Sequence, residues 1–201
     1  MSTMSTMSTM STMSTMSTMK KLEFGAGSYA STWLQPPVDI VEPCLSRDEI
    51  LEELKLDPHT TWPQLRGLGY RFFEQHVDSD HSLPVPDNYY DLIKASHALY
   101  YAAYDDDNKP YPRDEANARV GKDLKELHRI LKPGGILIIH DTSEAFDIEK
   151  ALGTCGLEGD DRAAQPIDPA AQWNIVMSAT PPYNDPEHPG ATWLLYVVEA
   201  R

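Results

Sequence analysis

The chain has 201 residues, with 17 Lys and Arg against 31 Asp and Glu, giving a formal net charge of −14 and a pI near 4.7. That field repels polyanions, so neither nucleic acid nor an anionic membrane surface is expected as a partner. Cys44 and Cys155 form no CxxC spacing, and no stretch is apolar for long enough to span a bilayer or lead export, so a cytoplasmic protein without a structural metal is expected.

Residues 1–19 are the triplet Met-Ser-Thr repeated six times and closed by Met19. A period of three matches neither the helix nor the strand repeat, so the tract cannot hold methionine on one face and is expected to be disordered. Residues 20–201 are expected to form a single domain, because about 180 residues suffice for one full core.

Lys20 to Phe24 is short and partly apolar and runs into Gly25-Ala-Gly27, which predicts a strand, a glycine turn and then a helix. Val38 to Val41 has the β-branched content of a buried strand and stops at Glu42-Pro43. Ser46-Arg-Asp-Glu49 has capping-box spacing ahead of a helix whose apolar face is Ile50, Leu51 and Leu54. Asp57 to Gly69, broken by prolines and glycines, is read as an irregular crossover, and Tyr70 to Val77 as the third strand.

Tyr89 to Ile93 predicts a fourth strand heading toward Ala95-Ser-His97, and Tyr104 to Arg113 an acidic loop. Between Asp114 and Leu131, the residues Val120, Leu124, Leu127 and Leu131 fall on one helical face, and Lys132-Pro-Gly-Gly135 ends the pattern. Ile136 to Ile139 is continuously apolar, as befits a central parallel strand covered on both faces. Asp141-Thr-Ser-Glu144 offers a cap to a helix through Phe146, Ile148 and Leu152. Trp173 to Ala179 and Thr192 to Val198 are joined without a helix and predict an antiparallel hairpin. The fold class is α/β: one Rossmann-like domain, mainly parallel, with helices on both faces, a C-terminal antiparallel hairpin and one antiparallel edge strand.

Gly25, Gly27 and Ala30 satisfy Gly-x-Gly-x-x-Gly/Ala after a strand, and Glu42 closes the next strand 17 residues beyond Gly25. Glycines let backbone amides approach a ligand, while a carboxylate at the neighbouring strand end can accept from both hydroxyls of a ribose. His140-Asp141 alone has no third ligand at metal-binding spacing.

From Leu22 to Ala200 the chain resembles the class I S-adenosylmethionine-dependent methyltransferases. Leu22-Glu-Phe-Gly-Ala-Gly27 is similar to the family's first motif and Val38-Asp-Ile-Val-Glu42 to its second strand. Leu83-Pro-Val-Pro-Asp87 with Tyr90-Asp-Leu-Ile93 resembles the approach to the fourth strand, and Leu127-His-Arg-Ile-Leu-Lys-Pro-Gly-Gly-Ile-Leu137 the late motif. The resemblance implies S-adenosylmethionine as cofactor, with Glu23, Gly25, Ala26 and Gly27 around its methionine moiety and Glu42 with Pro43 on the ribose. It further implies Asp78, Ser79 and Asp80 beside the adenine, and Ser96 and His97 at the sulfonium. Tyr29 stands where many members have a further glycine, and no amphipathic helix precedes Lys20.

Displacement at an activated sulfonium chiefly needs alignment, and a base helps only a protonated acceptor. His97 and Tyr101 are the expected catalytic residues, and the acceptor is expected to be a small molecule or a protein side chain. Tyr100 and Tyr104 could line its pocket, and Asp105-Asp-Asp107 reads as a solvated loop. Two alternatives stand beside this reading: an NAD-dependent oxidoreductase, which also explains Gly25 to Ala30 and Glu42, and a non-catalytic binding protein on a truncated methyltransferase fold, to which Tyr29 and the missing amino-terminal cover point. Neither acceptor nor oligomeric state is legible in the sequence.

Overall fold

The run Ile136 to Ile139 sits at the middle of a strand, as its unbroken apolar character requires, and the sheet is organised outward from it. The computed structural model describes residues 19–25, 27, 33–42, 45–73, 82–105, 107, 109–142, 145–154, 173–179 and 193–201. The strands are β1 (Lys21–Phe24), β2 (Val38–Val41), β3 (Tyr70–Phe73), β4 (Tyr90–Ser96), β5 (Leu131–Thr142), β6 (Trp173–Ala179) and β7 (Trp193–Ala200). The helices are α1 (Arg47–Glu53), α2 (Trp62–Gly67), α3 (Ala98–Ala102), α4 (Arg113–Ile130) and α5 (Ile148–Thr154).

The strands form one sheet in the order β3-β2-β1-β4-β5-β7-β6. β1 to β5 pair in parallel, whereas β7 runs antiparallel to both β5 and β6. The antiparallel hairpin is therefore present, but the reversed strand is not at the edge. β7 is inserted between β5 and β6, and β6 takes the outer position, where every residue after Trp173 is exposed.

Strand alternation sends side chains to two cores. Leu22, Phe24, Ile93, Ala95, Leu137 and Ile139 bury against the face covered by α4 and α5, where Val120, Leu124 and Leu127 are fully buried. Each of those three contributes about 1.5–3 kcal/mol relative to exposure. On the other face, Val38, Ile40 and Ile50 pack with Trp33, flanked by Trp62 and Phe72. Helices on both faces follow from this two-sided burial.

Three local expectations need correction. Asp57 to Gly69 is not wholly irregular, because α2 lies within it: Pro63 occupies the first turn, where a missing N–H costs nothing, and Gln64 Oε1 accepts the Thr61 amide at 2.7 Å. Lys132 to Gly135 does not separate α4 from the strand. β5 begins directly at Leu131, opposite Tyr90, and the four residues form an irregularity before Ile136 pairs with Leu92. Finally, β5 continues through Thr142, so Asp141 lies within a strand instead of capping the helix that follows.

The capping box at Ser46 and Glu49 forms as expected, with the Ser46 amide donating to Glu49 Oε2 at 2.7 Å. The helix expected after Gly27, residues 74–77 of the third strand, the cysteines, Glu144 and most of the repeat lie outside the described residues.

Candidate functional site

The chain runs outward from β1 to β3, then crosses back to place β4 on the other side of β1. Neighbouring connections diverge at that reversal, and the carboxyl ends of β1, β2, β4 and β5 there form the crevice in which open α/β sheets bind ligands.

At the tip of β1 the chain turns through Gly25 with φ +68° and Gly27 with φ +59°, both in the left-handed region. A Cβ on Gly25 would lie 2.3 Å from the Ala98 Cβ, so the turn packs against the start of α3 with no room for a side chain. At Gly27 the constraint is conformational, since nothing lies within 4 Å of an added Cβ. The Gly25 amide donates to Val41 O at 3.0 Å, and the Gly27 amide to Glu42 Oε2 at 2.6 Å. The glycine turn and Glu42 thus meet at adjacent strand tips. Bare peptide beside a carboxylate is a donor and acceptor set that suits a nucleoside with a free diol, so these residues fit the group the sequence implies.

Glu23 sits one layer deeper, without solvent exposure. Its Oε1 accepts Lys94 Nζ at 2.9 Å and Ser96 Oγ at 3.3 Å, and its Oε2 accepts the Leu34 amide at 3.0 Å. Burial raises its pKa, opposed by the bond and charge of Lys94. Lys94 is opposite Glu23 in the β1–β4 register, which puts both side chains on one face. Sequence reasoning missed Lys94. Its only signal was a lysine between Ile93 and Ala95, both buried, and its partner is 71 residues away.

His97 follows β4 and precedes α3 with φ +52°, a left-handed conformation that is costly for a residue with a side chain and is commonest at functional turns. Its amide donates to His140 O at 2.9 Å, and the two imidazoles meet edge to face with centroids 5.5 Å apart. Burial lowers the pKa of both; the neighbouring His140 adds to this at His97, and Lys94 does so at His140. A neutral imidazole near pH 7 is a competent proton acceptor.

Tyr101, on α3, is 68% exposed, while Tyr100 stacks on Tyr104 with centroids 4.2 Å apart. The carboxylate of Asp141 points away from His140, as alternation requires, so the two do not form a metal pair. Among the described residues no group of three or more His, Cys, Asp or Glu is gathered for a metal ion, and no helix is long and apolar enough to cross a membrane. Of the residues assigned from sequence, Glu23, Gly25, Gly27, Glu42, Ser96 and His97 gather at the tips of β1, β2 and β4, with Tyr101 on the adjoining helix. Ala26, Pro43, Asp78, Ser79 and Asp80 lie outside the described residues.

The family model described as a methyltransferase domain matches residues 24–139, more than half of the chain. No curated protein matches it. Among solved structures, the chain is similar to the N-methyltransferase NodS from Bradyrhizobium japonicum in complex with S-adenosylhomocysteine, at 13% identity and TM-score 0.53, over 90% of this chain and 78% of that one. It is also similar to the 1,6-didemethyltoxoflavin-N1-methyltransferase of Burkholderia thailandensis, with bound 1,6-didemethyltoxoflavin and S-adenosylhomocysteine, at 16% identity and TM-score 0.52, over 90% and 70%. A third is a SAM-dependent methyltransferase of Leishmania major, at 17% identity and TM-score 0.51, over 90% and 64%. These likenesses show the fold, and the family match sets aside the nicotinamide-dependent alternative. The chain belongs to the methyltransferase-domain family, in its Rossmann-like class I form.

Proposed function

We propose that this domain, residues 20–201, methylates a small-molecule acceptor in the cytoplasm, with the glycine turn and Glu42 holding the nucleoside. The observation that carries the site assignment is the bond from the Gly27 amide to Glu42 Oε2, which brings two strand tips into one cradle at the point where the sheet reverses. Ala26 and Pro43 belong to that cradle, Asp78, Ser79 and Asp80 to its adenine end, and Ser96 and His97 to its sulfonium end. The bound cofactor supplies an activated methyl group. The protein's part is to align the acceptor, exclude water and accept a proton at His97, with Tyr101 on the acceptor rim. A small acceptor is favoured by the Burkholderia relative, whose structure holds one.

Titration calorimetry tests the reading directly. S-adenosylmethionine is expected to bind the parent protein and to bind at least tenfold more weakly to Glu42→Ala. An absence of heat at about 100 μM protein would overturn the proposal. Turnover in an acceptor screen then separates an enzyme from a fold that only binds.

A further inference from the structure

We propose that the Glu23–Lys94 ion pair sets how strongly the site distinguishes S-adenosylmethionine from its demethylated product. The inference rests on the function proposed above and adds a specificity role to Lys94, a residue absent from the site expected from sequence. Glu23 is fully buried and Lys94 is 17% exposed, and their charged atoms are 2.9 Å apart. Both carboxylate oxygens are already engaged, by Lys94 and Ser96 on one side and by the Leu34 amide on the other. The pair lies two residues before Gly25 on β1 and two before Ser96 on β4, beneath the crevice.

A lone carboxylate at this depth would attract every positive group of a ligand above it. Joined to Lys94, it presents a nearly neutral dipole whose field falls off faster than that of a charge. The two ligands provide a clean probe of this difference. In methyl transfer an acceptor lone pair forms the new bond to the methyl carbon, and the broken sulfur–carbon pair stays on sulfur, so a sulfonium becomes a neutral thioether. Nucleoside, ammonium and carboxylate are unchanged. The ratio of the two affinities therefore reports the field at the sulfur and cancels changes in shape that affect both ligands alike.

The test is calorimetric titration of the full chain with S-adenosylmethionine and, separately, S-adenosylhomocysteine. A buffer near pH 8 favours the carboxylate form of Glu23, whose pKa burial raises. Lys94→Met, which leaves the carboxylate charge uncancelled, is expected to shift the ratio toward S-adenosylmethionine by roughly threefold to tenfold. Glu23→Gln, which leaves the ammonium uncancelled, is expected to shift it toward the product by a similar factor. Lys94→Arg keeps the charge and is expected to stay within about twofold of the parent.

Equal changes in both affinities, or shifts of the same sign in the two variants, would show a merely structural pair and overturn the inference. If Lys94→Met does not fold, Glu23→Gln is compared with the double variant Glu23→Gln/Lys94→Met. The double variant restores neutrality and should return the ratio to that of the parent; a ratio equal to that of Glu23→Gln alone sinks the idea. A parent protein that binds neither ligand overturns the functional reading itself, an outcome distinct from binding with an insensitive ratio.

Discussion

Gly25 and Ala98 are in such close apposition that an added methyl on the glycine would lie 2.3 Å from the alanine's own and 2.9 Å from its Cα. The β1 turn is thus packed directly on the start of α3, with no space for a side chain between them.

Gly25→Ala should cost about 2–4 kcal/mol, combining overpacking with a left-handed backbone, whereas Gly27→Ala should cost only about 1 kcal/mol. Urea denaturation of both variants measures the difference. Equal losses would mean that the Ala98 contact carries no weight.

Asp141 is buried without solvent exposure and accepts the amides of Tyr100 at 3.1 Å and Thr142 at 2.8 Å, with Leu99 also donating. Burial nonetheless pushes its pKa up from 3.8 to about 7. Between those values the unfolded chain releases the proton first, so this group's contribution to stability falls as pH rises from about 4 to about 7 and is flat above. Asp141→Asn should remove that slope. Its stability relative to the parent should improve across the same window, by at most about 4 kcal/mol. Denaturation midpoints taken at several pH values provide the check, and a pH-independent difference would contradict the assignment.

Arg129 on α4 donates to Glu126, to Asp87 and to the carbonyls of Leu83 and Val85, while Glu126 Oε1 accepts the Leu83 amide at 2.8 Å. The side chains are 29% exposed for Arg129 and 9% for Glu126, so solvent screens the pair only in part. Arg129→Met should cost about 2–3 kcal/mol by leaving Glu126 uncompensated. The Leu83 amide should lose hydrogen-exchange protection ahead of the β5 amides, a pattern that general loosening would not produce.

His97 has its pKa lowered by burial and then by His140, so it stays neutral further into acid than a free imidazole. Activity should fall as pH drops through a value below 6.5, because the protonated ring cannot act as a base. His97→Gln should lower kcat about tenfold to a hundredfold at pH 7 and abolish that acidic limb. A variant profile that retained the limb would move the base elsewhere.

Local physics made much of the fold legible. The apolar run of β5, the β-branched β2 and the Ser46–Glu49 cap are each determined by neighbours within a few residues. α2 was hidden because Pro63 signals a break, although at a helix's first turn it does no harm. The Asp141 to Glu144 spacing suggested a cap for the following helix. The carboxylate instead serves α3, whose Tyr100 lies 41 residues back, a choice that only sheet formation reveals. Lys94 was unreadable for the same reason: its role is created by the register that sets it beside Glu23.

The orientation of β7 fixes where the polypeptide leaves the sheet. Glu199 pairs with Ile136 at the start of the regular part of β5, and Lys20 accepts the Asp91 amide at 2.9 Å near the start of β4. Both Lys20 and Arg201 therefore emerge on the rim opposite the crevice. A fluorescent label or surface tether joined at either position would sit on the far side of the sheet from ligand entry, so the protein can be immobilised there while the cleft faces solution.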